Sequence, residues 1–159
     1  MIFVTLGSQK FQFDRLLKKL DELVVNGQIE DSVFAQIGYS DYQPRHFAYE
    51  KFLNREEFGK RMQECDIVVT HGGTGAIVGA VKKGKKVIAV ARLAEYGEHV
   101  DDHQIQILKQ FGEMNLILPC YELEELGERL EDVKQMEFAQ YQSNTQRIIQ
   151  SIEEFIEGM

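Results

Sequence analysis

A glycine-rich stretch in the middle of the chain carries the residue types best able to do chemistry. Residues 66–76 read Asp-Ile-Val-Val-Thr-His-Gly-Gly-Thr-Gly-Ala, so a β-branched apolar run passes through Gly72, Gly73 and Gly75 into a segment of helical character. A strand, a glycine turn and a helix N-terminus bring backbone N–H groups together, and the helix dipole adds partial positive charge. This arrangement predicts a binding site for an anionic phosphate group.

The spacing Gly-Gly-x-Gly differs from two common phosphate-binding patterns. No Lys-Ser or Lys-Thr pair follows it, as in a P-loop, and the G-x-G-x-x-G dinucleotide pattern is missing. A turn that only lets a helix pack on a sheet is the alternative interpretation. Thr74 could present its N–H to phosphate or ribose, or serve only as a helix cap. His71 could shape the loop or contact phosphate, or be a buried structural histidine.

Strands and helices alternate along the rest of the chain. The apolar patterns predict strands at residues 1–6, 32–38, 47–52, 67–69, 85–90 and 115–118, and helices at 11–25, 55–65, 74–84, 102–111, 123–133 and 138–157. Short, nearly continuous apolar strands indicate a parallel sheet covered by helices on both faces. Ligands of such sheets bind outside the carboxyl ends of the strands, and two strands here end in glycine turns, at Gly7 and Gly72.

Composition limits the classes of partner. A length of 159 residues indicates one domain, and the net charge of −8 argues against nucleic acid and against direct binding to anionic lipid. The longest apolar run, residues 87–91, is too short to cross a bilayer, and the first residues lack the basic region of a signal peptide. Cys65 and Cys120 have no metal-like spacing and are expected as small apolar residues in a reducing cytoplasm.

Four segments together resemble a known family. They are residues 3–8 (Phe-Val-Thr-Leu-Gly-Ser), residues 66–75, residues 84–88 (Gly-Lys-Lys-Val-Ile) and residues 98–104 (Glu-His-Val-Asp-Asp-His-Gln). Over nearly the whole chain they resemble the C-terminal, donor-binding half of glycosyltransferase family 28. Within the family they resemble in particular the split members, which are the catalytic subunit of the dolichol-linked UDP-N-acetylglucosamine transferase and streptococcal capsule and exopolysaccharide β-1,4-galactosyltransferase subunits.

The resemblance implies a fold and a division of labour between two chains. The fold would be α/β, a Rossmann-like parallel sheet covered by helices on both faces, which forms the C-terminal half of a GT-B glycosyltransferase. Residues 1–159 would be a single domain that binds the donor nucleotide-sugar. A membrane-anchored partner subunit would hold the acceptor, a sugar linked to a lipid diphosphate. The C-terminal helix at residues 138–157 would either pack on this domain or contact that partner.

The resemblance also implies a set of donor-binding residues: Gly7, Ser8, Phe52, His71, Gly72, Gly73, Thr74, Gly75, Arg92, Glu98, His103 and Gln104. Gly7 and Ser8 would approach the donor diphosphate. The backbone at Phe52 and Leu53 would read the uracil edge, with the Phe52 ring in the apolar core.

Two further places in the predicted site have alternatives. Arg92 would contact the diphosphate or the sugar, or be a solvated loop charge. His103 and Gln104 would lie near the sugar and ribose. The alternative is a purely capping role for Asp101, Asp102 and His103.

One position departs from the family pattern. Family members usually carry a glutamate six residues after the second glycine of the loop, where it accepts hydrogen bonds from the ribose hydroxyls, and this chain has Gly79 there. Glu95 or Glu98 on the next loop could replace that carboxylate, or the backbone alone could hold the ribose. Ribose recognition is therefore open in this chain.

The implied function is that of the donor-binding and catalytic subunit of a two-component inverting glycosyltransferase. It would move a sugar, galactose the first choice, from a UDP-sugar to a lipid-linked oligosaccharide precursor in capsular or exopolysaccharide synthesis. The general base would lie on the partner chain, and no metal or other cofactor is expected. The protein would work in the cytoplasm, held at the inner face of the cell membrane by its partner.

Two alternatives belong to other classes. The first is a non-catalytic subunit that binds UDP-sugar or stabilises a partner transferase, which Gly79 favours and the intact glycine loop disfavours. The second is a Rossmann-type dehydrogenase, which the missing dinucleotide pattern disfavours.

Overall fold

The computed structural model describes residues 1–6, 12–71, 74–90 and 103–139. Within these ranges the strands and helices follow the predicted order, and no helix lies between the second and third strands. The strands are β1 (Ile2–Thr5), β2 (Val33–Gln36), β3 (Ala48–Glu50), β4 (Ile67–His71), β5 (Lys86–Val90) and β6 (Leu118–Cys120). The helices are α1 (Asp14–Val25), α2 (Arg55–Glu64), α3 (Thr74–Lys82), α4 (His103–Glu113) and α5 (Leu126–Gln135), the last preceded by a 3₁₀ turn at Leu123–Glu125.

The six strands form one parallel sheet in the order β3-β2-β1-β4-β5-β6. The order reverses between β1 and β4, which lie side by side in the middle of the sheet. In doubly wound sheets of this order, ligands bind in the crevice at that reversal, outside the carboxyl ends of the strands. The predicted parallel sheet is confirmed, and it brings the ends of β1 and β4 to the same edge.

Two apolar layers cover the sheet, and the period-2 alternation of each strand divides its side chains between them. On one face Val4 and Val69 pack with Leu16 and Leu20 of α1 and with side chains of α5. On the other face, Phe3, Phe34 and Val68 pack with Met62 of α2, Ile77 of α3 and Phe111 of α4. Burial on both faces explains why these strands are nearly continuous apolar runs.

Most predicted elements are present with shifted ends, and the last strand differs most. The sequence predicts it at residues 115–118, but β6 spans Leu118–Cys120. Asn115 adopts a positive φ of 57°, and the Leu116 N–H donates to the carbonyl of Phe111. Because this turn closes the end of α4, the chain becomes extended only after it.

Three of the other shifted boundaries lie at α1, β4 and the C-terminal helix. Helix α1 begins at Asp14, and Gln12 and Phe13 before it are not helical. Strand β4 extends to His71, two residues beyond the predicted end. The helix predicted at residues 138–157 does not include Phe138 and Ala139, and the remainder of it lies outside the described residues.

Both cysteines are buried and unpaired, as expected. Burial raises the pKa of the Cys120 thiol to about 11, and it raises the pKa of Cys65 as well. Such thiols stay protonated at neutral pH and behave as small apolar side chains. In the described ranges, no helix has the length and apolar character needed to span a bilayer.

Candidate functional site

The carboxyl ends of β1 and β4 are tied together at the sheet edge where the predicted glycine turns follow. Thr5 and Thr70 are register partners, and the Thr70 hydroxyl donates a hydrogen bond of 3.0 Å to the Thr5 backbone carbonyl. The Nδ1 atom of His71 lies 3.5 Å from the same carbonyl. Thr5 and Thr70 are both buried. The two strand ends are therefore held rigidly relative to each other.

His71 occupies the position that the sequence analysis left between two interpretations. Its side chain is only 4% exposed, and Nδ1 also lies 3.4 Å from the Thr70 hydroxyl. These contacts place the imidazole inside the sheet edge, on the face covered by α1 and α5. Burial at this point supports the structural interpretation and also fits a residue that shapes the following turn.

Helix α3 begins close after β4 and points its N-terminus at this edge. Its first turn contains no acidic residue, so no carboxylate of its own offsets the partial positive charge of the helix end. Gly75 lies in that turn, and a Cβ added there would meet no atom within 4 Å. The space beside Gly75 is therefore open, and an anion can approach the backbone N–H groups of this turn.

The loop after β3 is held to the sheet by a side chain of β2. The Oε1 atom of Gln36 accepts a hydrogen bond of 3.0 Å from the Leu53 backbone N–H. The N–H and C=O of Phe52 have no hydrogen-bond partner in the part of the chain that the structure describes. A uracil edge presents a hydrogen-bond donor next to an acceptor. The free C=O and N–H of one residue can pair with that donor and that acceptor.

The Phe52 ring is not in the core, and that expectation is wrong. The side chain is 48% exposed and packs edge-on against Tyr39, with ring centroids 5.3 Å apart. Phe52 follows β3, which lies at the edge of the sheet, so only one neighbouring strand is available to cover it. Tyr39 follows β2, and the two rings form an exposed aromatic pair at the carboxyl edge.

Several predicted site residues lie outside the described residues. These are Gly7, Ser8, Gly72, Gly73, Arg92 and Glu98. Thr74 and His103 are the first residues of α3 and α4, and Gln104 follows in the first turn of α4. Both helices follow strands of the central sheet, so the backbone at their N-termini belongs to the connections that leave its carboxyl edge.

Metal ligation finds no support among the described residues. In residues 1–6, 12–71, 74–90 and 103–139, no three His, Cys, Asp or Glu side chains converge where they could hold an ion. The groups that could hold phosphate at this edge are backbone N–H donors and the α3 N-terminus.

The sequence analysis did not identify two polar residues that lie at this edge. Thr5 and Gln36 end the otherwise apolar strands Ile-Phe-Val-Thr and Val-Phe-Ala-Gln, and both are buried. The available signal was a polar residue at the carboxyl end of an apolar parallel strand, which is where ligands of such sheets bind. The sequence analysis placed the site in the glycine turns that follow the strands and not at the strand ends themselves.

The sheet order, the parallel strands and the two helical layers define a Rossmann-like fold with its crevice at the ends of β1 and β4. The whole chain, residues 1–159, matches the glycosyltransferase family 28 C-terminal domain, and it belongs to that family. Its fold is that of the C-terminal, Rossmann-like half of a GT-B glycosyltransferase.

Comparisons with individual proteins agree with this assignment. The chain is 24% identical over 108 residues to the UDP-N-acetylglucosamine transferase subunit ALG13 of Candida albicans, a match that covers 68% of this chain and 33% of that protein. The chain thus spans about a third of the length of this relative.

Two solved structures share the fold. The solution structure of ALG13 has a TM-score of 0.60 at 16% identity and covers 98% of this chain and 94% of that one. The glycotransferase of kitacinnamycin has a TM-score of 0.61 at 12% identity and covers 99% of this chain but 39% of that chain. The second comparison shows that this fold also occurs as one part of a longer glycosyltransferase.

Proposed function

We propose that this chain is the donor-binding and catalytic subunit of a two-component inverting glycosyltransferase that uses a UDP-sugar. One observation carries the proposal: β1 and β4 end side by side, locked by the Thr70–Thr5 hydrogen bond, and α3 begins close after β4 with no acidic residue in its first turn. Such an edge suits a diphosphate. The family assignment and the name of the Candida albicans relative support a UDP-sugar as the donor.

In the proposed reaction this chain stabilises the leaving group, which is UDP. The sugar departs through an oxocarbenium-like transition state, while negative charge grows on the UDP diphosphate. Backbone N–H groups from Gly72 to Gly75, together with Gly7 and Ser8, would donate hydrogen bonds to that charge. Donors fixed in advance by a rigid sheet edge stabilise the transition state without reorganisation. His71 would shape this turn, and Arg92 would add a cation beside the phosphates.

The remaining donor contacts come from three further places on the carboxyl edge. The free N–H and C=O of Phe52 would read the base. His103 and Gln104, at the start of α4, would contact the sugar and the ribose, and Glu98 would supply a carboxylate to the ribose hydroxyls in place of one at Gly79. Backbone donors suffice for the diphosphate, so we expect no metal, and transfer should be unchanged by EDTA.

The reaction also needs groups that we assign to a second chain. A general base must deprotonate the acceptor hydroxyl, and we place it on a membrane-anchored partner subunit that holds a lipid-diphosphate-linked sugar. The partner would keep this chain in the cytoplasm at the inner face of the membrane. We propose galactose as the sugar and capsular or exopolysaccharide synthesis as the process.

A panel of UDP-sugars tests this function directly. The chain is co-expressed with its partner, and membranes are assayed for transfer to the lipid-linked acceptor, with each component alone as the control. We expect transfer only when both chains are present, and most of it from one UDP-sugar. Robust transfer by this chain alone would refute the division of labour. The absence of transfer from every UDP-sugar in the complete system would refute the function.

The alternative is a non-catalytic subunit that binds UDP-sugar and stabilises a partner transferase. Gly79 favours it, because the family's usual carboxylate for the ribose is missing there. The Gly75→Asp variant separates the two: in a catalytic subunit, a carboxylate at the phosphate turn abolishes transfer by the assembled complex. A complex that contains this variant and keeps full transfer would assign the reaction to the partner.

A further inference from the structure

A cleft opens between α2 and α3 beside the phosphate edge. Its volume is about 320 Å³, within the range of small-molecule sites. Apolar residues, two glycines and Lys83 line its sides, and Thr5 and Gln36 line it from the ends of β1 and β2. The lining residues are Thr5, Gln36, Phe58, Met62, Gly75, Ala76, Gly79 and Lys83.

Two buried polar side chains line this cleft with unused hydrogen-bond donors. Thr5 and Gln36 are register partners on neighbouring strands and are 1% and 7% exposed. Because Oε1 of Gln36 accepts from the Leu53 N–H, the orientation of the amide is fixed and Nε2 carries the two free hydrogens. In the part of the chain that the structure describes, neither Nε2 of Gln36 nor Oγ1 of Thr5 has a partner.

Buried donors without an acceptor are uncommon in folded proteins and call for a specific explanation. A ligand that brings oxygen acceptors into the cleft supplies one. The side walls offer the aromatic ring of Phe58, the thioether of Met62 and the methyl group of Ala76. Apolar walls over a donor-bearing floor suit a flat ring that carries carbonyl oxygens.

We propose that Nε2 of Gln36 and Oγ1 of Thr5 donate hydrogen bonds to carbonyl oxygens of the pyrimidine ring of the donor nucleotide. Gln36 thereby favours uracil over cytosine, because cytosine carries an amino donor in place of one of the two uracil carbonyls. The inference rests on the proposed function and adds two residues to its donor site. Gln36 acts twice, since its Oε1 also holds the Leu53 loop whose neighbouring Phe52 backbone would read the same base.

The Gln36→Glu variant separates recognition from positioning. It keeps an oxygen for the Leu53 N–H and replaces the ligand-facing donor with an acceptor. Binding of UDP and CDP to the full chain is measured at pH 8 by ligand-observed NMR or calorimetry, with folding checked by circular dichroism. We expect UDP binding to weaken at least tenfold and the preference for UDP over CDP to shrink by a similar factor. Gln135→Glu, an exposed change at the end of α5, is the matched control and should change neither.

Thr5→Val provides a second, nearly isosteric test that keeps the strand apolar. It removes one donor and should weaken UDP binding by about fivefold. If Gln36→Glu does not fold, this variant decides the question.

A folded Gln36→Glu or Thr5→Val protein with unchanged UDP affinity would overturn the inference, as would a wild-type chain that binds UDP and CDP equally. Those results leave the proposed function standing, because UDP still binds. A wild-type chain that binds no uridine nucleotide, alone or with its partner, would instead refute the proposed function.

Discussion

The hydroxyl of Thr70 donates to the backbone carbonyl of Thr5 across the two strands that lead into the predicted phosphate turns. The bond is 3.0 Å long, and both residues are buried where the strand order reverses. It couples the position of the end of β4 to that of the end of β1. A rigid edge of this kind is what preorganised binding of a diphosphate requires.

Removal of that hydroxyl should therefore affect both stability and binding. We expect Thr70→Val to lower the free energy of unfolding by about 1 kcal/mol, the usual net contribution of one buried hydrogen bond. Urea denaturation measures the loss, and UDP titration measures the accompanying decrease in affinity. Thr70→Ser keeps the hydroxyl and should retain most of the affinity. If Thr70→Val binds UDP as tightly as Thr70→Ser does, the bond has no part in shaping the site.

Gly75 lies where the α3 N-terminus would meet the diphosphate. Gly75→Asp places a carboxylate there, so we expect UDP binding to be lost through charge repulsion. The fold should survive, because a Cβ at this position meets no atom within 4 Å and an acidic residue in the first turn stabilises a helix.

Gly75→Asn is the control of equal size without the charge, and it should keep measurable UDP binding. Calorimetry on both proteins, after thermal denaturation has shown that they are folded, makes the comparison. Tight UDP binding by Gly75→Asp would mean that the nucleotide binds elsewhere.

The buried thiols predict a loss of stability at alkaline pH. Burial raises the pKa of Cys120 to about 11 in the folded chain, above its value in the unfolded chain. The contribution of the protonated Cys120 thiol to the free energy of unfolding is therefore complete at neutral pH. It is lost as the pH rises from about 9 toward 11. Between pH 8 and 10.5 the wild type should lose up to about 2 kcal/mol more than Cys120→Ala, measured by urea denaturation at each pH. Parallel pH profiles for the two proteins would contradict the shift.

The order of elements could be predicted from the sequence because the strands are buried on both faces and glycines mark their ends. Ile-Val-Val before Thr70 and the glycine at position 84 are local signals of this kind. Gly84 indeed adopts a positive φ of 72° after α3, as a glycine that ends a helix does.

Contacts between distant segments left no comparable signal. Asp21 of α1 is buried and accepts hydrogen bonds from the Tyr42 hydroxyl and from the backbone N–H groups of Arg45 and His46. This carboxylate holds the connection between β2 and β3, yet in the sequence it is one acidic residue on an amphipathic helix. The Gln36–Leu53 bond was hidden for the same reason, since its two residues come together only when β2 and β3 pair.

Substitutions of Gly79 test how the ribose is recognised. A Cβ at this position in α3 meets no atom within 4 Å, so larger residues fit there. Gly79→Ala should raise the free energy of unfolding by roughly 0.5–1 kcal/mol, because glycine is a poor helix former. Gly79→Glu adds a carboxylate where the family resemblance implies one, and it lies one turn before Lys83.

The affinity difference between these two variants isolates the carboxylate. A hydrogen bond to a charged group contributes about 1.5–3 kcal/mol, so Gly79→Glu should bind UDP roughly tenfold or more tightly than Gly79→Ala. Calorimetry with UDP measures this difference in affinity. We expect the difference to be smaller when 2′-deoxy-UDP is the ligand. Equal affinity in the two variants would mean that ribose already has its acceptor. In that case Glu98→Gln should weaken UDP binding in the wild-type background several-fold, while Glu95→Gln changes it little.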